Sequence, residues 1–345
     1  MAIEQAKLKV TQANLPKDLL ANINEMIERL EHMKDSGDYF LEYDSLMHYL
    51  EWITSLPWDK ESSENLDLKN AQNVLDKNHY GLSEVKERIL EFLAVRNLRQ
   101  KNETTASGHA PVLCFVGLQG IGKTTLASSI AEALGRKFAR ISMGAIGSTI
   151  QLRGQTRSLP NAEPGQVIKV LQRTAVKNPV ILLDEIDKAS GESGLRSDIM
   201  ATLLEVLDPE QNSTFVDHYV DYPFNLSDVL FVCTANNLGT LSAALLDRLE
   251  IIQMPTYTDQ EKIEIGKVYL LPKIVAENGL QPDQLTIAES VWPKIVRPLG
   301  YDAGVRMLNR NISSVARKVA KKILLGEGSK FQITEENLKE FLPTW

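Results

Sequence analysis

Cysteine is scarce, with only Cys114 and Cys233 in 345 residues. Both lie in apolar, strand-like runs. That placement reads as core thiols in a reducing compartment rather than a disulfide framework. The five histidines (His32, His48, His79, His109 and His218) show no metal-ligand spacing. No apolar run approaches the ~20 residues that span a bilayer, and the start, Met1-Ala-Ile-Glu-Gln-Ala-Lys, has no apolar signal core. A basic excess is also missing. With 38 Lys and Arg against 45 Asp and Glu, the net charge of −7 argues against a broad nucleic-acid footprint. Aromatics make up only 6%, and no basic, aromatic-rich stretch supports a DNA-acting motor. There is no internal repeat and no low-complexity tract.

What is present is ordinary for a globular chain, at 43% hydrophobic and 24% charged residues, and the length suits two or three domains. Residues 1 to about 76 read as helical. Leu19, Leu20, Ile23, Met26, Ile27, Leu30 and Met33 recur at helical spacing after Pro16, and Leu46, Leu50 and Ile53 continue the pattern until Pro57. Lys101–Ala110 is polar and reads as a surface loop. From Val112 to about Met254 strands and helices alternate. Strand-like runs occur at Val112–Val116, Phe138–Met143, Val180–Leu183, Val229–Thr234 and Ile251–Met254, with helical stretches such as Gly165–Thr174 and Asp198–Leu207 between them. Because the strand runs do not alternate in polarity, a parallel sheet covered on both faces is expected. Thr258-Asp-Gln-Glu261 is a capping box. It opens a mostly helical remainder that carries strand-like pieces at Gln284–Ile287 and Lys330–Ile333. The expected class is therefore α/β: a five-stranded parallel sheet flanked by helices, after a helical segment at 1–76, with a large domain at 77–257 and a helical lid at 258–345.

One stretch carries most of the chemistry. Gly117-Leu-Gln-Gly-Ile-Gly-Lys-Thr124 fits G-x-x-x-x-G-K-[ST], the phosphate-binding P-loop, and sits between an apolar strand and a helical stripe (Leu126, Ile130, Leu134) ended by Gly135. A glycine loop feeding a helix N-terminus gathers backbone N–H groups and the positive dipole end at one spot. Lys123 would reach the outer phosphates and the Thr124 hydroxyl would help hold Mg²⁺. Further on, Val180-Ile-Leu-Leu-Asp184-Glu185 is an apolar strand ending in two acids. Asp184 can hold Mg²⁺ through water, and Glu185 can polarise the water that attacks the γ-phosphate. Asp187 and Lys188 read as surface or interface charges. Asn236, after Val229–Thr234, either orients that water or is a plain turn residue. Arg248 in Leu245-Leu-Asp-Arg248 could reach a neighbour's γ-phosphate, or be solvated in a weak salt bridge. Arg306, in Tyr301-Asp-Ala-Gly-Val-Arg306, is a second candidate.

These residues, with His79-Tyr-Gly-Leu-Ser-Glu-Val-Lys-Glu-Arg-Ile-Leu-Glu, Leu183-Asp-Glu-Ile-Asp-Lys188, Leu203-Leu-Glu-Val-Leu-Asp-Pro-Glu-Gln-Asn212, Thr214-Phe-Val-Asp-His-Tyr219 and Ala303-Gly-Val-Arg306, resemble the AAA+ ATPase module of Lon proteases. The resemblance covers nearly the whole chain. It implies ATP or ADP with Mg²⁺ as cofactors, and a hexameric homo-oligomeric ring that unfolds protein substrates. It makes Lys123 and Thr124 the Walker A residues, Asp184 and Glu185 the Walker B pair, Asn236 sensor 1, Arg248 the finger and Arg306 sensor 2. Tyr80 would lie near the adenine, and Gly117, Gly120, Gly122 and Thr125 complete the nucleotide-binding set.

The sequence departs from the family at three places. Gln119 stands where the family usually has proline. Leu159 and Pro160 replace the aromatic–aliphatic pair of the substrate pore loop, and Asn161 replaces its usual glycine. Ala145-Ile-Gly-Ser-Thr-Ile-Gln151 replaces a charged run. Leucine and a stiff proline would grip a threaded chain less well than an aromatic. No segment resembles the family's serine–lysine protease domain. Ser314 and Lys318 read as a solvated helix face, so this chain alone is expected to lack peptidase activity. The end after the lid reads as that of a piece excised from a longer protease. The expected setting is bacterial cytoplasm, or alternatively mitochondrial matrix, with no membrane partner and at most weak DNA binding. Against the unfolding motor stands a second reading, an ATP-gated assembly or scaffold module that does not thread protein.

Overall fold

The structure is a computed structural model that describes residues 2–33, 39–101, 111–189, 193–297 and 304–342. The polar stretch 102–110, and residues 301–303 of the segment leading to Arg306, lie outside the described residues.

Nine strands are described: β1 Val112–Val116, β2 Phe138–Ser142, β3 Val180–Asp184, β4 Phe215–Val216, β5 Pro223–Phe224, β6 Leu230–Ala235, β7 Leu249–Gln253, β8 Leu285–Ile287 and β9 Phe331–Ile333. Five form one parallel sheet in the order β2-β3-β6-β1-β7. β2 pairs with β3 from Phe138↔Val180 to Ser142↔Asp184, and β3 pairs with β6 from Val180↔Leu230 to Leu183↔Cys233. The three inner strands are buried along their whole length, whereas the edge strands β2 and β7 are only partly covered. Unbroken apolar runs mark the strands with helices on both faces. β4 and β5 form a small antiparallel hairpin that the sequence pattern does not announce. Cys114 on β1 and Cys233 on β6 are buried free thiols, and burial pushes the Cys233 thiol up.

By compactness the chain divides into two units, and both draw on the 77–257 stretch. The first comprises Met1–Asp67, Leu93–Phe115 and Ala127–Ile252. Its N-terminal helices include Lys17–His32, opened by Pro16 as expected, and Tyr39–Ser55. The first buries Leu19, Ile23, Ile27 and Leu30, one stripe at three- and four-residue spacing. A buried carboxylate ties chain-distant pieces of this unit together. Glu64 pairs with Arg96 and, at 2.9 Å, with Arg136, whose guanidinium also donates to the Asp228 carbonyl at 2.7 Å.

The second unit comprises Leu68–Phe92, Val116–Leu126 and Gln253–Trp345. Helix Arg306–Leu324 buries Leu308, Ile312, Val315, Ala316 and Val319 against Trp292, Ile333 and Phe341. The two strand-like pieces of the remainder pair in parallel as β8 and β9. Thr258 and Glu261 form the expected capping box. The Thr258 hydroxyl accepts from the Glu261 N–H, and the Glu261 carboxylate accepts from the Thr258 N–H.

Candidate nucleotide site

The glycine loop belongs to the second unit. β1 leads into it and helix Lys123–Leu134 leaves it. A side chain at Gly117 would place its Cβ 2.5 Å from Ile121 Cδ1 and 3.0 Å from the Met254 carbonyl, so only glycine closes the turn. Gly120 and Gly122, at φ of 81° and 99°, hold backbone conformations that L side chains rarely adopt. Lys123 is 7% exposed, and its ammonium donates to the carbonyls of Gly117 and, at 3.0 Å, Leu118. Those contacts hold the charge over the loop. The Thr125 hydroxyl donates to the Gly122 carbonyl at 2.8 Å, bracing the first helical turn.

Arg306 and its neighbours lie against the same loop. The Val305 N–H donates to the Gly120 carbonyl at 3.0 Å. A Cβ at Gly304 would fall 2.6 Å from the Gly120 carbonyl carbon, so the two backbones are in direct contact. Arg306 lays its stem over Gly120 and donates from Nη1 to Gln119 Oε1 at 3.4 Å. Gln119, the residue in place of proline, thus gives the arginine an acceptor. Tyr80 is half-buried in this unit, in a turn where Gly81 and Leu82 both have positive φ. The turn is anchored by Lys86, which donates to the His79 carbonyl at 2.7 Å and pairs with Asp76 at 2.8 Å.

The two acids belong to the first unit, at the carboxyl end of β3. Asp184 is 4% exposed. Thr234, fully buried on β6, donates from its hydroxyl to Asp184 Oδ1 at 2.5 Å and accepts from the Glu185 N–H at 2.8 Å. Arg140 on β2 pairs with Asp184 Oδ2 at 2.7 Å. Glu185 sits at φ 58°, a left-handed conformation costly for a non-glycine residue and concentrated at functional positions. Its carboxylate pairs with Lys188 at 2.7 Å. Asp187 accepts from the Asn237 N–H at 3.2 Å. Asn236 follows β6 directly and is half-buried. Arg248 donates to Asp208 at 3.0 Å, and Asp208 is 5% exposed.

Leu159 and Pro160 are exposed at the tip of a tight loop, Leu159 at 52%. Asn161 adopts φ 57°, so it keeps the left-handed conformation that glycine would take there.

Thr234, Arg140 and Asp208 are the site-related residues that sequence reasoning missed. The signal for the first two was a polar or charged residue inside an apolar strand run. Asp208 lies within the quoted Leu203–Asn212 stretch but had no assigned partner.

The loop fits a phosphate chain, because the missing Cβ atoms leave its backbone N–H groups approachable and Lys123 is already fixed over it. Among the described residues no cluster of three or more His, Cys, Asp and Glu could hold a metal unaided. Mg²⁺ held mostly by phosphates, water and one or two side chains needs no such cluster.

The parallel sheet and the glycine loop after β1 are those of a P-loop ATPase of the AAA class. The family model for "ATPase family associated with various cellular activities" matches residues 113–257, and that for the "Lon protease AAA+ ATPase lid domain" matches residues 276–333. The chain is 45% identical over 341 residues to a Lon protease of Lawsonia intracellularis, spanning 99% of this chain and 40% of that protein. It is 44% identical over 333 residues to a Lon protease of Desulforamulus reducens and 43% identical over 334 residues to a Lon protease 2 of Herpetosiphon aurantiacus. The chain belongs to the Lon family as its AAA+ ATPase module. It spans about two fifths of the length of these relatives.

Proposed function

We propose that the chain hydrolyses ATP and uses the energy to unfold proteins for a protease domain, as part of a homohexameric ring. The observation that carries this reading is the linked acid pair. One buried hydroxyl bonds both the Asp184 carboxylate and the backbone N–H of Glu185, so the two residues are tied together at the strand end. The glycine loop and Lys123 bind the phosphates, Thr124 and Asp184 hold Mg²⁺, and Tyr80 borders the base. When bound, Mg²⁺ offsets the charge that builds on the phosphates. Glu185 takes the proton of the attacking water and Asn236 orients that water. Arg306 reports on the nucleotide from beside Gly120, and Arg248 serves the neighbouring subunit once released from Asp208.

Steady-state turnover tests the assignment. Lys123→Ala and Glu185→Gln should each lower kcat by about 100-fold or more. Glu185→Gln should still bind nucleotide, and normal turnover in either variant would sink the reading. The second reading, an ATP-gated scaffold, is favoured by the exposed Leu159-Pro160 tip. An unfolding assay on a tagged substrate, with a protease half supplied, separates the two.

A further inference from the structure

The loop that carries Leu159 is closed at its neck by a buried carboxylate. Gln155 N–H donates to the Glu163 carbonyl at 3.1 Å. Asp217, fully buried, accepts from Gly165 N–H at 2.7 Å, Tyr219 N–H at 2.9 Å and Val220 N–H at 3.1 Å. Neither end of the neck admits a side chain. A Cβ at Gly154 would lie 2.8 Å from Asp217 Oδ1, and one at Gly165 2.0 Å from the Leu152 carbonyl oxygen. The His218 N–H adds a bond to the Arg153 carbonyl at 2.7 Å. The loop is therefore mounted on segment 217–221.

Two residues inside the neck, Arg157 reaches the N-terminal helices of the same unit. Its guanidinium carbon lies 4.0 Å from the centroid of the Tyr49 ring. Nη2 is 3.6 Å from Asp221 Oδ2, and Nη1 is 4.0 Å from Met26 Sδ. Tyr49 is 2% exposed within helix Tyr39–Ser55, and its hydroxyl donates to the Val220 carbonyl at 3.1 Å. Met26 lies in helix Lys17–His32. One guanidinium thus touches helices Lys17–His32 and Tyr39–Ser55, segment 217–221 and the loop. Its planar face suits the ring, which a lysine ammonium would not reproduce.

We propose that Arg157 is a positioning residue: stacked on Tyr49, it lets the N-terminal helices set the orientation of loop 155–164 and hence the presentation of Leu159. The inference rests on the reading of that loop as substrate-facing, but the coupling itself can be measured without substrate. It makes the arrangement of the N-terminal helices an input to the loop tip.

Hydrogen exchange with mass-spectrometric readout on the chain, following peptides across 155–164, tests it. The amides of Gln155, Leu159 and Ala162 are bonded within the loop and report its order. Arg157→Ala and Tyr49→Leu should each speed exchange there by about 3- to 30-fold, the span expected of one cation–π contact. Exchange in β3 and β6 should stay at the wild-type rate. The double variant should speed exchange by less than the product of the singles, because both remove the stacked contact. Tyr49→Phe, which keeps the ring face and loses only the hydroxyl, should leave the loop protected. Arg157→Gln, altering only a partly exposed side chain, serves if Tyr49→Leu fails to fold.

Unchanged loop exchange in Arg157→Ala or Arg157→Gln overturns the proposal. So does an additive double variant, or a Tyr49→Phe that behaves like Tyr49→Leu. A released loop with undiminished substrate unfolding supports the coupling and counts against the loop's role in grip.

Discussion

At the end of β3 a single hydroxyl serves two acids. Thr234 donates to Asp184 and accepts from the Glu185 backbone, with no exposure of its own. Replacing it with valine keeps the shape but leaves a part-buried N–H and a buried carboxylate each short of a partner, at a cost of about 1–3 kcal/mol. Thr234→Val should therefore lower kcat at least about tenfold, while Thr234→Ser recovers most of it. Equal loss in both variants would show that the methyl group, not the hydroxyl, matters.

Arg248 gives a second prediction at this scale. Arg248→Ala should cost about 10³-fold in kcat and leave nucleotide affinity largely intact, measured by titration with a fluorescent nucleotide. Asp208→Asn removes the intrachain counter-charge and keeps the arginine. It should lower turnover far less, and a loss as large as that of Arg248→Ala would make the Asp208 contact itself the active arrangement.

The placement of Lys123 and Thr124 at a loop–helix junction, and of Asp184 and Glu185 at a strand end, was legible in the sequence because it follows from local spacing. Thr234 and Arg140 were not. Their contacts with Asp184 exist only because β6 and β2 flank β3, and Thr234 is 50 residues from Asp184.

Among the elements, the helix start at Thr258 and the stripe of Lys17–His32 follow from pattern, since caps and amphipathic spacing act over one or two turns. Strand positions were also legible, to within a residue or two at the ends. The β4–β5 hairpin was not, because two-residue strands leave no periodicity to read. Nor was the tie of helix Ser83–Lys101 to Glu64, which joins residues 32 apart.

That tie yields a prediction about pH. Burial pushes the Glu64 carboxyl up, but the hydrogen bonds and charges of Arg96 and Arg136 outweigh it and hold the group below its ordinary value of 4.5. A carboxyl with a lowered folded-state pKa contributes stability that is present above about pH 4.5 and lost as pH falls through the folded value. Thermal melts should show wild type losing stability over that acid range more steeply than Glu64→Gln. The variant should be weaker by about 3 kcal/mol near neutral pH, because it leaves two arginines without their buried carboxylate. Parallel curves would remove Glu64 from the account.

For the whole molecule, if Arg248 acts on a neighbour's nucleotide, turnover depends on assembly. Activity per subunit should fall on dilution through the concentration at which light scattering shows the oligomer dissociating, and a flat profile would contradict a shared site. If the tip of loop 155–164 grips substrate, Leu159→Tyr should speed unfolding of a tagged substrate without changing ATP affinity, since a large ring adds contact area at the exposed position. No change would favour the scaffold reading.

The sequence by itself determined the class of molecule: a P-loop, an acid pair after a strand, and a lid, each written in local spacing because phosphate binding and helix capping need only neighbours in the chain. Only the tertiary structure decided which partners these side chains take: Asp184 with Arg140, Arg248 with Asp208, and Arg157 with Tyr49. These pairs join residues far apart in the chain, across strand order and helix packing. Coulomb attraction and ring stacking act through space, so no spacing rule along the chain encodes them.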